Sequence, residues 1–229
     1  MSIKPVNINN SKNSIPSGHE YFWNAKTSKK DKLIVASTTF IGTAAACAGL
    51  AKHAGYSLKP SRMFRNVKNS YLAKVDFEMK PVIGLGAGSC LGGLTGGYLT
   101  TKNKEDRKAI KRETVLQFGN ISIPIITVGL TYKFTERFGK IPSAFASIGA
   151  VFVGVYLANY LMNKLGNALF HNKDEARKVK TTDFSAHLDD FVLAATYISK
   201  SDLVHAIGRF VPVALMVPGN EIGNKRANR

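Results

Sequence analysis

Four glycines spaced four residues apart, Gly84, Gly88, Gly92 and Gly96, lie in the uncharged run PVIGLGAGSCLGGLTGGYLT at 81–100. On a helix this spacing stacks them in one bare groove. In water each interior glycine costs a helix about 0.8–1 kcal/mol relative to alanine, so a soluble helix of this composition would be poor. In a bilayer the backbone must satisfy its own hydrogen bonds, and a groove without side chains lets a neighbouring helix come close. The ladder therefore predicts a closely packed membrane helix. It names no activity.

The chain around it is built in the same alternating way. Apolar residues make up 45% of it and the mean hydropathy is near zero, but charge and apolar residues are segregated. Uncharged blocks run from 33–51, 82–100, 115–132 and 142–162. The first is 19 residues long, about 28 Å as a helix and just enough to cross the hydrocarbon layer. Gly42 and Ala46 make a small step on it that could meet the ladder. Pro81 stands where a first helical turn tolerates proline. Pro124 interrupts the third block, where it would kink a membrane helix or end one in water.

The expected fold is all-α: a polytopic membrane helix bundle of about four spans plus short C-terminal amphipathic helices. Residues 1–32 read as a polar, basic, disordered leader, 33–180 as the helical membrane domain, and 181–229 as an amphipathic helical region with a basic tail. The connection 52–80 holds a candidate amphipathic helix after Pro60, and the charge run 101–113 reads as a solvated helical loop. Two C-terminal helices are expected near 185–199 and 202–217, the second capped by Ser201 and ended by Pro218-Gly219-Asn220.

The net charge of +17 suits an anionic surface. Lys and Arg punctuate every apolar block instead of gathering on one face between aromatics, which argues for anionic lipid headgroups and against nucleic acid. With four crossings and the N-terminus inside, 17 Lys and Arg fall inside and 10 outside, the orientation that basic loops favour. The strongly basic 52–80 segment narrows that margin. A bacterial or organellar inner membrane is the expected location.

Little in the sequence points to chemistry. Gly84-Leu85-Gly86 brushes against a dinucleotide fingerprint, but Ser89 stands at the third glycine position and no strand–helix units surround it. Cys47 and Cys90 each sit inside an apolar block with no ligand spacing, so no disulfide framework, metal or cofactor is expected. No catalytic set is apparent. The best polar candidates are His187, Asp190, Asp202, His205 and Arg209, which pair at three- and four-residue spacing. Near a membrane such a group could relay protons or hold a cation; as helix-end charges it would be ordinary.

The expected function is a scaffold, assembly or membrane-organising component, forming a homo-oligomer or binding a membrane protein partner through the groove of Gly84, Gly88, Gly92 and Gly96. A channel or transporter using the C-terminal cluster, and a peripheral basic protein on anionic lipid or nucleic acid, are the alternatives. The glycine ladder and the count of four spans are similar to those of mitochondrial inner-membrane translocase subunits, a similarity confined to those two features.

Overall fold

The computed structural model describes residues 27–57, 79–170, 176–188, 191 and 210–227, whose regular structure is helical with no strand among them. Four long helices follow one another: α1 Lys29–His53, α2 Met79–Thr100, α3 Lys104–Thr135 and α4 Lys140–Phe170. Each is long and apolar enough to cross a membrane. A short 3-10 turn, Glu136–Phe138, joins α3 to α4. A 3-10 segment at Thr181–His187, α5 at Val211–Ala214 and α6 at Met216–Asn224 complete the described chain.

Local chemistry sets the helix starts. Ser28 Oγ accepts from the Asp31 amide at 3.1 Å and so caps α1. Asn103 Oδ1 accepts from the Glu105 and Asp106 amides at 2.8 and 3.3 Å, and both acids complement the dipole of α3. The charge run 101–113 is therefore not a separate loop. Its residues from Lys104 onward are the first turns of α3, which extends beyond the uncharged block at that end. Pro124 lies inside α3, which continues past it to Thr135.

The long helices run antiparallel in sequence. The α1–α2 contacts pair Leu50 with Gly84, Gly42 with Gly88, Thr38 with Gly92 and Val35 with Gly96. On its other sides α2 meets α3, with Ile121 at Gly86 and Ile110 at Gly97. Helix α4 meets α3 where Met162 covers Gly119 and Gly154 faces Pro124. Helix α6 lies parallel to α2, with Gly219 at Gly93 and Gly223 at Gly97. One end of the bundle thus collects the start of α1, the α2–α3 corner, the end of α4 and the end of the described chain. Thr27 bonds to Asn224, Arg226 to Thr100, and the Ala227 amide to Asp106.

The core holds Val82, Leu85, Ile110, Ile121, Leu215 and Ile222, all fully buried. A second cluster of Val128, Ala150, Val151 and Val155 lies between α3 and α4. The outside is apolar as well: Phe40 and Ile41 on α1, Leu91 and Leu99 on α2, Ile126 and Leu130 on α3, and Phe145, Phe152, Tyr156 and Tyr160 on α4 are exposed. So much contiguous apolar surface suits a hydrocarbon surround and would be a liability in water.

The C-terminal region departs from its expected layout. Pro218-Gly219-Asn220 does not end a helix but lies within α6. Pro218 is tolerated because it falls in the first turn, where no intrahelical acceptor awaits its missing N–H. The break comes earlier, at Leu215, between α5 and α6. The expected helix after Pro60 and most of 185–199 and 202–210 lie outside the described residues.

Candidate functional site

Two places in the bundle are built with more care than burial of apolar surface requires. The first is the glycine contact. A methyl at Gly42 would strike the Gly88 carbonyl and sit 2.9 Å from the Gly92 Cα. A methyl at Gly92 would strike the Thr38 carbonyl, and one at Gly88 would meet the Ala46 methyl and the Gly42 carbonyl. Gly96 lies against Thr38 and Val35; Gly84 is looser, with Leu50 at 3.4 Å. Gly93 carries a second line of contact to the Gly219 backbone of α6. The groove of Gly84, Gly88, Gly92 and Gly96 is thus covered by α1 of the same chain, with Gly42 and Ala46 supplying the matching small face. Gly49, by contrast, has open space beside it.

The second place is a buried polar junction where α3, α4, the 3-10 segment and α6 meet. It begins with Pro124. Proline has no N–H to give the carbonyl four residues back, and its ring crowds that carbonyl. The Asn120 carbonyl is therefore left without its helical donor. The His187 Nε2 lies 2.9 Å from it. A carbonyl only accepts, so Nε2 carries the proton. His187 is fully buried and its place in the fold follows from Pro124. The Asn120 side-chain amide donates in turn to the Asp183 carbonyl at 3.3 Å.

Arg177 is the hub. Its Nε donates to Glu113 Oε1 at 3.0 Å, its Nη1 to Asp183 Oδ2 at 2.8 Å, and its Nη2 to Asp183 Oδ1 and to Glu221 Oε2. The guanidinium is 8% exposed, Glu113 2% and Asp183 fully buried. Gln117 donates to both Glu113 and Glu221, and Thr182 Oγ1 to Glu221 at 2.6 Å. Lys180 lies 3.6 Å from Glu221 and Lys225 3.7 Å from Glu113. Three carboxylates thus face three cations. Burial by itself would lower the Arg177 pKa; Glu113 foremost, then Asp183 and Glu221, outweigh it and hold the guanidinium above its usual range. Asn163 of α4 clamps the main chain at Arg177, accepting from its amide and donating to its carbonyl, both at 2.9 Å.

This arrangement can fix a shape. Every carboxylate is engaged, and among the described residues no three His, Cys, Asp or Glu side chains converge as metal ligands. Of the polar residues singled out by spacing, the junction contains His187. Asp190, Asp202, His205 and Arg209 lie outside the described residues. Arg177, Glu113, Asp183 and Glu221 were not foreseen. A signal was present: Glu113, Gln117 and Asn120 recur at helical spacing and enter the apolar block on one face. The run GLGAGS is continuous helix in α2, which excludes the strand–loop–helix a dinucleotide fingerprint requires. Compared with known proteins, the chain matches no family model, no curated protein and no solved structure.

Proposed function

We propose that the protein is an integral membrane scaffold or assembly component, with its N-terminus on the inner side of a bacterial or organellar inner membrane. The observation that carries the reading is the backbone-to-backbone seating of α2 against both α1 and α6. Helices seated this closely leave little slack for one to move against the other. That stiffness suits a fixed part better than an alternating-access carrier. The end gathering the start of α1, the start of α3, the end of α4 and the tail is rich in Lys and Arg, now including Lys225 and Arg226, which supports placing it inside. Since α1 covers the ladder within one chain, a homo-oligomer or partner contact uses the outward apolar faces instead.

The carrier alternative draws on the C-terminal cluster, of which only His187 is among the described residues. A carrier that used the charged junction instead would need it near mid-membrane, where carrier sites lie. Glu113 stands two residues before the uncharged block opens at Val115, so the Arg177 cluster is level with the interface. Alkaline carbonate extraction tests insertion: retention in the membrane pellet is expected, and release would end the reading. Ion or solute flux through reconstituted vesicles, abolished by Glu221→Gln, would replace the scaffold with a carrier.

A further inference from the structure

The first two turns of α3 carry Lys104, Arg107, Lys108 and Lys111 at spacings of three, four and seven, which puts four cations on one face. Glu105 and Asp106 fall on other faces. Asp106 is buried and turned to Thr101 and the Ala227 amide, so it does not neutralise the stripe. The basic face borders an open cavity of about 350 Å³, closed by Tyr98 at the end of α2 and Phe170 at the end of α4. Arg107 lies over the Tyr98 ring, 5.1 Å from its centre, and its Nε donates to the Thr101 carbonyl at 3.1 Å. Those contacts fix the guanidinium at the cavity wall and leave its terminal nitrogens as donors.

The level of this cavity follows from helix length. Helix α3 has 32 residues, about 48 Å, far more than the roughly 30 Å of hydrocarbon. Its uncharged block begins at Val115, so Lys111 stands about 6 Å beyond that block and Lys104 about 16 Å beyond. The headgroup layer is about 5–8 Å deep on each side, so Lys111 lies within it and Lys104 on its aqueous side. Leu99 and Leu169, exposed beside the cavity, mark the adjoining apolar belt. Lysine stems and two aromatic rings give a mostly apolar lining, the setting in which lysines keep their ammonium groups at a polar edge.

We propose that this cavity binds the headgroup of an anionic phospholipid, its phosphate held by Lys104, Arg107, Lys108 and Lys111 and its glycerol end lying on Tyr98 and Phe170. The proposal rests on the bundle crossing a bilayer, which carbonate extraction tests separately. Its own test is native mass spectrometry of the full chain released from nanodiscs of phosphatidylcholine and phosphatidylglycerol. The wild type should retain phosphatidylglycerol preferentially. The triple variant K104Q/K108Q/K111Q should lose that retention by about tenfold or more, and the arginine triple K104R/K108R/K111R should keep it. K29Q/K30Q/K32Q, which removes equal charge from the same end outside the cavity, should match the wild type. Equal loss in both glutamine triples would reduce the effect to general surface charge and overturn the site. Absence of a preference in the wild type would overturn it too. So would displacement of the lipid by millimolar inorganic phosphate or by a short RNA, since either would make lipid the wrong ligand.

Discussion

Helix α2 is held on two faces by bare backbone, whereas α3 is held to the C-terminal segment by charge and hydrogen bonds. In the first region fit depends on atoms being absent: at Gly42, Gly88, Gly92 and Gly93 there is no room for a methyl. In the second it depends on every partner being present, because a carboxylate as buried as Asp183 tolerates no missing cation. Helix α6 serves both with nine residues. Gly219 and Gly223, four apart, meet α2, and Glu221 between them reaches Arg177. An added methyl can be relieved by small shifts spread over many contacts, whereas a buried charge that loses its partner has no such relief.

The sharpest break should come at Arg177. Arg177→Met leaves Glu113, Asp183 and Glu221 buried without their common partner and should cost about 3–5 kcal/mol. It should be read as a fall in melting temperature of the detergent-solubilised protein. A melting temperature equal to wild type would mean that the junction contributes nothing to the fold.

The glycine side should respond next. Gly92→Ala puts a methyl against the Thr38 carbonyl and should cost about 1–3 kcal/mol by overpacking. Gly49→Ala, with open space beside it, should be neutral or favourable by up to about 1 kcal/mol. The same chemical change should therefore destabilise at one position and not at the other. Equal melting temperatures for the two variants would show that the close approach of α1 and α2 is not needed.

The proline–histidine pair is a test by non-additivity. His187→Ala strands the Asn120 carbonyl and should cost about 1–3 kcal/mol. In a Pro124→Ala background the new amide reclaims that carbonyl, and the cost of losing His187 should shrink to a fraction of it. An additive double-mutant cycle would break the link between them. The smallest loss is expected at Thr127, whose hydroxyl donates to the Pro124 carbonyl at 2.8 Å and lies 3.1 Å from the Ala150 carbonyl of α4. Thr127→Val should cost about 0.5–1.5 kcal/mol; a loss as large as that of Arg177→Met would rank the two regions wrongly.

These regions were not equally legible in the sequence. The small residues announced themselves, because a four-residue period is local and survives any arrangement of the helices. Gly42 and Ala46 could be matched to the ladder on spacing alone. The second glycine line could not: Gly219 looked like the end of a helix, since Pro-Gly-Asn breaks chains more often than it opens them. His187 was singled out for its neighbours at Asp190 and beyond, yet its partner in the fold is a carbonyl 67 residues away. Glu113 hid in a charge run where surface solvation was the simpler account.

What the sequence determined by itself was the composition and placement of four helices able to cross a membrane and the bare faces along two of them. Hydropathy and period act within a few turns, so they need no knowledge of the fold. Only the tertiary structure decided that α1 and α6 fill the two sides of α2. It also decided that Gln117 reaches Glu221 across 104 residues and that Arg177 gathers three carboxylates from three elements. Such pairings carry no local signature. They exist because burial removes water as the competing partner and leaves each polar group to the nearest one that the packed helices bring.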